Sequence, residues 1–286
     1  MSLQVKLSRE SLVYYSGETI QGQVTVLNQA NTAHAGLKVT VKGVLHLMPG
    51  KKELGKVEQT FTLLRKSKQL LEAGKIVGNT EIDFSLQLIP ESGSELYETY
   101  HGQNVAVEYM VVAELQRTGL KKPLWTTVDF ILERPAIMEG KSNAVKTFEI
   151  GDIGGDLSSK IVGHVQTTSV DIRTPIEGEL EVVSAPPLEG IELQVVRKEK
   201  IKIPELVSET TSEAQCCELV VGDVQRNLSV PIYCMLQKFV VCPSLETSKF
   251  DLSFLLRLKI VYKDGTAGTR EHYHDIPIEL QRLERA

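Results

Sequence analysis

The sequence predicts an all-β protein that consists of two tandem antiparallel β-sandwich domains joined by a short linker. Three observations support this prediction. Apolar residues alternate with polar residues in many short runs, helical periodicity is nearly absent, and four of the runs recur in the same order in the second half of the chain. Alternation of this kind is typical of antiparallel strands that bury one face and expose the other. The length of 286 residues is sufficient for about two domains, each with its own core.

The first half of the chain contains six alternating runs. Each run carries β-branched, aliphatic or aromatic residues on one face and polar residues on the other, as half-buried strands do. The runs lie at residues 3–7, 20–26, 37–41, 82–88, 105–111 and 128–132. Only residues 63–73, LLRKSKQLLEA, have the apolar spacing of a helix, of about three turns at most. We therefore expect any helix to be confined to this segment.

A linker is predicted where proline, glycine and polar residues interrupt the alternation, in the stretch RPAIMEGKSN. We accordingly place the first sandwich at residues 1–135, the linker at 136–143 and the second sandwich at 144–286. The second-half runs lie at 180–182, 191–195, 228–232 and 250–260, in the order and spacing of the runs at 20–26, 37–41, 82–86 and 105–111. This repetition indicates two similar sandwiches that derive from a duplication.

The composition argues against several classes of protein. The net charge is -5 and no run of five or more basic residues occurs, so no nucleic acid is expected as a partner, because phosphate contacts need clustered Lys and Arg. The longest uncharged apolar stretches have about ten residues, too few to cross a bilayer. The first residues, MSLQVKLSRE, lack the apolar core of a signal peptide.

The four cysteines indicate a reducing compartment. Cys216, Cys217, Cys234 and Cys242 all lie in the second half and form no Cys-x-x-Cys motif. They also lack the even spread of a disulfide framework, which secreted domains of this kind would show. We therefore expect a cytoplasmic protein.

Complete catalytic or metal-binding motifs are missing from the sequence. His272 and His274 share one face of a predicted strand, but zinc needs a third and usually a fourth ligand, and nothing nearby supplies them. The stretch EGKS at 139–142 resembles the end of a phosphate-binding loop, yet Pro135 stands where that pattern requires glycine. We expect no catalytic residue, no metal and no cofactor, and hence a protein that is not an enzyme.

Two segments are candidates for contact with a partner. In YETYHG, at 97–102, Gly102 permits a tight turn into the next strand. Tyr97 and Tyr100 either plug the end of the sandwich or form, together with His101, a secondary contact surface. The second segment, 235–245, is longer and more apolar than a plain hairpin loop. It either folds onto its own sandwich or presents an apolar patch, and the residues alone favour neither alternative.

Several stretches together resemble a known family. They are LYETYHG at 96–102, LSVPIY at 228–233 and CPSLET at 242–247, followed by Phe250. The sequence resembles the vacuolar protein sorting-associated protein 26 family, the arrestin-like subunits of retromer and retriever, and is most similar to the Down syndrome critical region protein 3 type. The resemblance covers both halves in order. It implies an arrestin-like fold of two β-sandwiches and no enzymatic activity.

The resemblance also implies partners and a location. The main partner would be a large helical-solenoid scaffold subunit, which also carries a phosphodiesterase-like subunit, with a sorting nexin and cargo tails as further contacts. The complex recycles membrane cargo, so the chain would be recruited to the cytosolic face of endosomes as a peripheral component without a transmembrane segment. In the family, the scaffold docks on the second domain around the loop that matches the apolar segment. The implied scaffold-binding residues are Gln237, Lys238, Phe239, Val240, Val241, Pro243 and Leu245.

Three other functions are compared with this one. An arrestin-type trafficking adaptor would recruit other machinery to membrane receptors, but the Pro-Pro-x-Tyr motif that binds ubiquitin ligases is incomplete in PPLE at 186–189. A receptor-binding arrestin would need a basic cluster to sense phosphates, and the chain is acidic. A zinc hydrolase would use His272 and His274. We keep the arrestin-type adaptor as the main alternative.

Overall fold

The computed structural model describes residues 1–29, 31–48, 58–135, 144–237, 241–263 and 268–284. Within these ranges the elements are β-strands, with one 3-10 turn at Pro204–Leu206. The chain divides into two compact units, Met1–Arg134 and Pro135–Ala286, here called the N-terminal and C-terminal units. The expected linker, 136–143, lies outside the described residues.

The N-terminal unit contains a three-stranded sheet, in the order β1-β3-β7, and a larger sheet with the path β2-β10-β9-β4-β5. Two short strands extend the larger sheet, because β6 pairs with β4 and β8 pairs with β9. All pairs are antiparallel except β2 with β10. The strands are β1 Ser2–Leu7, β2 Val13–Tyr15, β3 Thr19–Leu27, β4 Thr32–Leu47, β5 Gln59–Leu71, β6 Gly74–Ile76, β7 Thr80–Gln87, β8 Tyr100–His101, β9 Val105–Arg117 and β10 Leu124–Glu133.

The C-terminal unit has a four-stranded sheet, β11-β12-β14-β17, and a larger sheet with the path β13-β20-β19-β15-β16, to which β18 adds by pairing with β19. Here too one pair is parallel, β13 with β20. The strands are β11 Lys146–Ile153, β12 Asp156–Val165, β13 Ser169–Asp171, β14 Pro175–Ser184, β15 Leu188–Ile201, β16 Ser208–Val221, β17 Ser229–Met235, β18 Leu245–Glu246, β19 Phe250–Lys263 and β20 Thr269–Gln281.

The two units repeat one topology. The order β1-β3-β7 corresponds to β12-β14-β17, and β2-β10-β9-β4-β5 corresponds to β13-β20-β19-β15-β16. The four runs that recur in the sequence fall on equivalent strands, namely β3 and β14, β4 and β15, β7 and β17, and β9 and β19. The prediction of an all-β, arrestin-like fold of two tandem sandwiches is confirmed.

Each unit buries the apolar side chains of alternate strand positions. In β9, Val107, Tyr109 and Val111 are almost inaccessible, and in β19, Leu256 and Leu258 are equally so. Burying one such side chain favours folding by about 1.5–3 kcal/mol, so these alternating faces dominate the stability of both units.

The prediction of a helix at 63–73 is wrong, because most of this segment belongs to strand β5. Two β-bulges explain the error. In the pairing with β4, Leu63 and Leu70 are each skipped by the register, so each of them is an extra residue that breaks the alternation. Each extra residue creates a Leu-Leu pair, Leu63-Leu64 and Leu70-Leu71. The two pairs are seven residues apart, a spacing that also places residues on one face of a helix. Leu63 and Leu64 are both buried as a result.

Candidate protein-interaction site

The YETYHG segment lies between the start of β9 and the end of β10 in the larger sheet of the N-terminal unit, and we call this segment the wedge. Its residues Tyr100 and His101 form β8, which pairs with the start of β9. On its other side, the Thr99 N–H donates to the Leu132 carbonyl of β10 at 2.9 Å, and the Leu132 N–H donates to the Thr99 hydroxyl at 2.9 Å. The segment therefore bridges β9 and the end of β10, which identifies it as the corner that leads into a strand.

The tyrosines of this wedge fill the interior of the N-terminal unit. Tyr97 and Tyr100 are each only 5% exposed. The hydroxyl of Tyr109 donates to the Tyr97 carbonyl at 2.7 Å, and burial raises the pKa of Tyr109 above its ordinary value. His101 is exposed, with its Nδ1 3.6 Å from a carboxylate oxygen of Glu108. Of the three residues considered for a secondary contact surface, only His101 is accessible to a partner.

The C-terminal unit contains the same wedge, formed by part of the CPSLET stretch. Leu245 and Glu246 form β18, which pairs with the start of β19. The Ser244 N–H donates to the Leu280 carbonyl at 2.8 Å, and the Leu280 N–H donates to the Ser244 hydroxyl at 3.0 Å. These reciprocal bonds match those between Thr99 and Leu132. The two candidate segments of the sequence are therefore equivalent positions of the repeated topology.

The residues expected to bind a scaffold differ in accessibility. Gln237 is exposed, and Pro243 and Leu245 are half-buried. Val241 is 5% exposed, so its side chain packs within its own unit instead of facing a partner. Lys238, Phe239 and Val240 lie outside the described residues.

An apolar surface that the sequence analysis missed lies on strand β17, which ends at Met235, the first residue of the segment 235–245. Pro231, Tyr233 and Met235 point away from the core, since they alternate with the buried Ile232 and Cys234. We call these three outward residues the β17 stripe. Tyr233 is 57% exposed and Met235 is 49% exposed. The signal in the sequence was a strand with apolar residues on both faces, whereas only its inward face had been considered.

Acidic side chains border the β17 stripe. In the pairing of β14 with β17, Glu177 lies opposite Tyr233 and Glu179 lies opposite Pro231. Glu179 also lines an open groove of about 530 Å³ on this sheet, together with Glu149, Glu181, His164 and Ser229, among others. The surface thus combines an apolar centre with a negative border. It is suited to a partner that supplies apolar side chains surrounded by basic residues.

His272 and His274, the two histidines considered for zinc, are half-buried side chains of strand β20. His274 lies beside Phe148, with ring centroids 5.6 Å apart, and burial lowers the pKa of this histidine. Among the described residues, no group of three or more His, Cys, Asp or Glu side chains is arranged to hold a metal ion. Over the same ranges, no helix is long and apolar enough to cross a membrane.

Comparison with known proteins identifies the family. The family model described as vacuolar protein sorting-associated protein 26 matches residues 4–265. Vacuolar protein sorting-associated protein 26C of Dictyostelium discoideum is 26% identical over 98% of this chain and 99% of its own length. Protein 26B of Xenopus tropicalis is 24% identical, and the human 26B protein 23%, each over 87% of this chain and 71% of its own length. The resemblance inferred from the sequence is confirmed, and the chain belongs to the vacuolar protein sorting-associated protein 26 family.

Proposed function

We propose that this chain is a non-enzymatic subunit of a retromer- or retriever-type complex that recycles cargo from endosomes. In this proposal its C-terminal unit docks on a helical-solenoid scaffold subunit. The observation that carries the proposal is the exposed β17 stripe, which leads directly into the segment that the family resemblance assigns to scaffold binding. Family membership and an exposed apolar strand face thus favour the same part of the chain.

The energetics of the β17 stripe suit a docking surface. Removing an apolar side chain from water contributes about 1.5–3 kcal/mol before the costs of association. Tyrosine is among the residues that most often dominate binding, so Tyr233 would be the main anchor and Met235 an adaptable neighbour. The glutamates of β14 would form the border and favour a basic partner surface. Gln237, Pro243 and Leu245 would extend the contact along the chain.

The other proposed partners would reach this chain through the scaffold subunit. The phosphodiesterase-like subunit would join through the scaffold, and the assembled complex would bring the chain to the cytosolic face of endosomes, near a sorting nexin and cargo tails. Lys238, Phe239 and Val240 belong to the proposed contact through the family resemblance. Because Val241 is buried, it would support the segment from beneath and not touch the scaffold.

Scaffold binding by a double variant tests this function. The variant Tyr233→Asp with Met235→Asp places two charges at the centre of the apolar surface, and we expect its affinity for the scaffold to fall by about 100-fold or more. Both side chains are about half exposed and point away from the core, so the melting temperature should change by no more than about 2 °C. The measurement is calorimetric titration against purified retromer-type and retriever-type scaffold subunits, which also distinguishes the two complexes.

The matched control is Trp125→Asp. Trp125 is 70% exposed on strand β10 of the other unit, so this change also replaces an exposed apolar residue with a charge. It should leave scaffold affinity unchanged. Undiminished binding by the double variant, or equal losses in the double variant and the control, would contradict docking through the β17 stripe.

A further inference from the structure

Two cysteine thiols meet at one open edge of the C-terminal unit. Cys217 lies on β16 and Cys234 on β17, and their sulfur atoms are 3.3 Å apart. Within the described residues, β16 pairs only with β15 and β17 only with β14, so the two strands end different sheets. The thiol contact therefore spans the two layers of the sandwich, at a place where no backbone ladder joins them.

We propose that Cys217 and Cys234 are an oxidisable pair, and that a hydroperoxide converts them to a disulfide that closes this edge of the sandwich. In the first step the Cys217 sulfur attacks the peroxide, forms a sulfenic acid and releases water, or an alcohol from an organic peroxide. In the second step the Cys234 sulfur attacks the sulfenic sulfur, the S–S bond forms, and the hydroxyl group leaves as water with the Cys234 proton. Two electrons pass from the thiols to the peroxide. This inference does not depend on the proposed function.

The geometry favours this pairing. A disulfide has an S–S length of about 2.05 Å, so the two sulfur atoms need to approach by only about 1 Å. The side-chain amide of Gln215 lies beside both, with its Nε2 3.6 Å from the Cys217 sulfur and 3.5 Å from the Cys234 sulfur. The same Nε2 donates to the Met235 carbonyl at 2.9 Å, and the Gln237 N–H donates to the Gln215 Oε1 at 3.0 Å. Gln215 thus holds the start of the following segment and the thiol pair in one arrangement.

The surroundings of the thiols assign their roles. Cys234 is 1% exposed, and burial together with the adjacent Cys217 raises its pKa, so it is a poor first target for peroxide and reacts second, with a sulfenic acid already in contact. Of the two paired thiols, the half-buried Cys217 is the more accessible to solvent. Cys216 lies beside Glu192, and burial together with that carboxylate raises its pKa to about 11. Its exposed thiol is therefore seldom ionised near neutral pH, which lowers its reactivity with peroxide. Cys242 is buried.

The test is peroxide oxidation of the full chain, followed by alkylation with N-ethylmaleimide in denaturant, which exposes the buried thiols of Cys234 and Cys242, and by peptide mapping without reductant. We expect two of the four thiols to escape alkylation and a cross-linked peptide to join Cys217 to Cys234. Dithiothreitol should reverse the change. The disulfide would close the loop from Cys217 to Cys234, which are 17 positions apart, and should raise the melting temperature of the oxidised chain by about 6 °C or more.

Single variants give the controls. Cys216→Ser should keep the cross-link, whereas Cys217→Ser and Cys234→Ser should each abolish it. Because Cys217 is only half-buried, Cys217→Ser should fold normally and by itself provides the decisive comparison. The proposal is overturned if all four thiols remain alkylatable after peroxide treatment, if Cys216 carries the oxidation or the disulfide, or if the cross-link persists in Cys217→Ser.

Discussion

Replacing Gly178 with alanine is expected to destabilise the C-terminal unit by about 3 kcal/mol. Gly178 lies in β14, and a β-carbon at this position would lie 2.1 Å from the backbone carbonyl oxygen of His164 in the neighbouring strand β12. It would also lie 3.0 Å from the Cα atom of Val165. These are backbone atoms of a strand that is paired on both sides, so they cannot move away without breaking the pairing of β12 with β11 or β14. Alanine therefore forces a rearrangement of the sheet.

The measurement is the melting temperature of the full chain, which should fall by about 6–12 °C. The matched control is Gly151→Ala in β11 of the same sheet, where the new β-carbon would meet only the Ser159 carbonyl oxygen at 3.4 Å, an ordinary contact. Its effect should stay within about 1 kcal/mol. If both variants melt at the same temperature, close approach of the strands is not what requires glycine at position 178.

The N-terminal unit has the same requirement at Gly22. A β-carbon on Gly22 would lie 2.5 Å from the Lys6 carbonyl oxygen in the neighbouring strand β1. Gly22 and Gly178 occupy matching places, in Ile20-Gln21-Gly22 of β3 and Ile176-Glu177-Gly178 of β14. The repeated topology thus keeps a repeated steric constraint, although the two units share few other side chains here.

Replacing Tyr109 with alanine is expected to destabilise the N-terminal unit by about 4 kcal/mol, because it removes a fully buried aromatic ring and leaves a cavity. The ring packs beside Phe130, with centroids 5.7 Å apart. It also covers Gly43, whose absent β-carbon would lie 2.5 Å from the ring. Since the tyrosine hydroxyl donates to the Tyr97 carbonyl, alanine also releases the wedge that contains YETYHG.

Tyr109→Phe separates these contributions. It keeps the ring but leaves the Tyr97 carbonyl without this donor, at a cost of about 1–2 kcal/mol. Urea unfolding gives the two free-energy changes, and hydrogen exchange of residues 97–101 reports whether the wedge opens. Tyr273→Phe, at an exposed position of strand β20, is the control, with an expected change within about 0.5 kcal/mol. Unaltered exchange of the wedge in Tyr109→Phe would contradict the anchoring role of the hydroxyl.

The sequence was informative where local chemistry determines structure. Alternation found most of the longer strands, since the period of two follows directly from the geometry of a half-buried strand. It failed at β5, where Leu63 and Leu70 are extra residues in bulges whose position depends on the partner strand β4. Alternation also does not reveal pairing between distant residues. The bonds between Thr99 and Leu132, and between Ser244 and Leu280, join residues that are far apart in the chain.

The candidate site was predictable only in part, for the same reason. The apolar character of the segment after β17 was visible in the sequence, but the burial of Val241 is a tertiary feature that apolar character alone does not reveal. The β17 stripe was missed because only the inward face of that strand follows the alternation, and its negative border comes from β14, a strand that is far away in the chain. Likewise, no spacing rule brings Cys217 and Cys234 together, because they belong to different sheets.

The two parallel pairings determine when each unit can finish folding. Val13 in β2 pairs with Ile131 in β10, and Ser169 in β13 pairs with Glu279 in β20, so in each unit an early strand waits for the last strand to be synthesised. Closing such long loops costs entropy before any contact compensates for it, which slows folding. During translation the N-terminal unit can close as soon as β10 has left the ribosome. The C-terminal unit likewise leaves β13 without its partner until β20 has been synthesised, and this is the period in which a nascent chain most needs a chaperone.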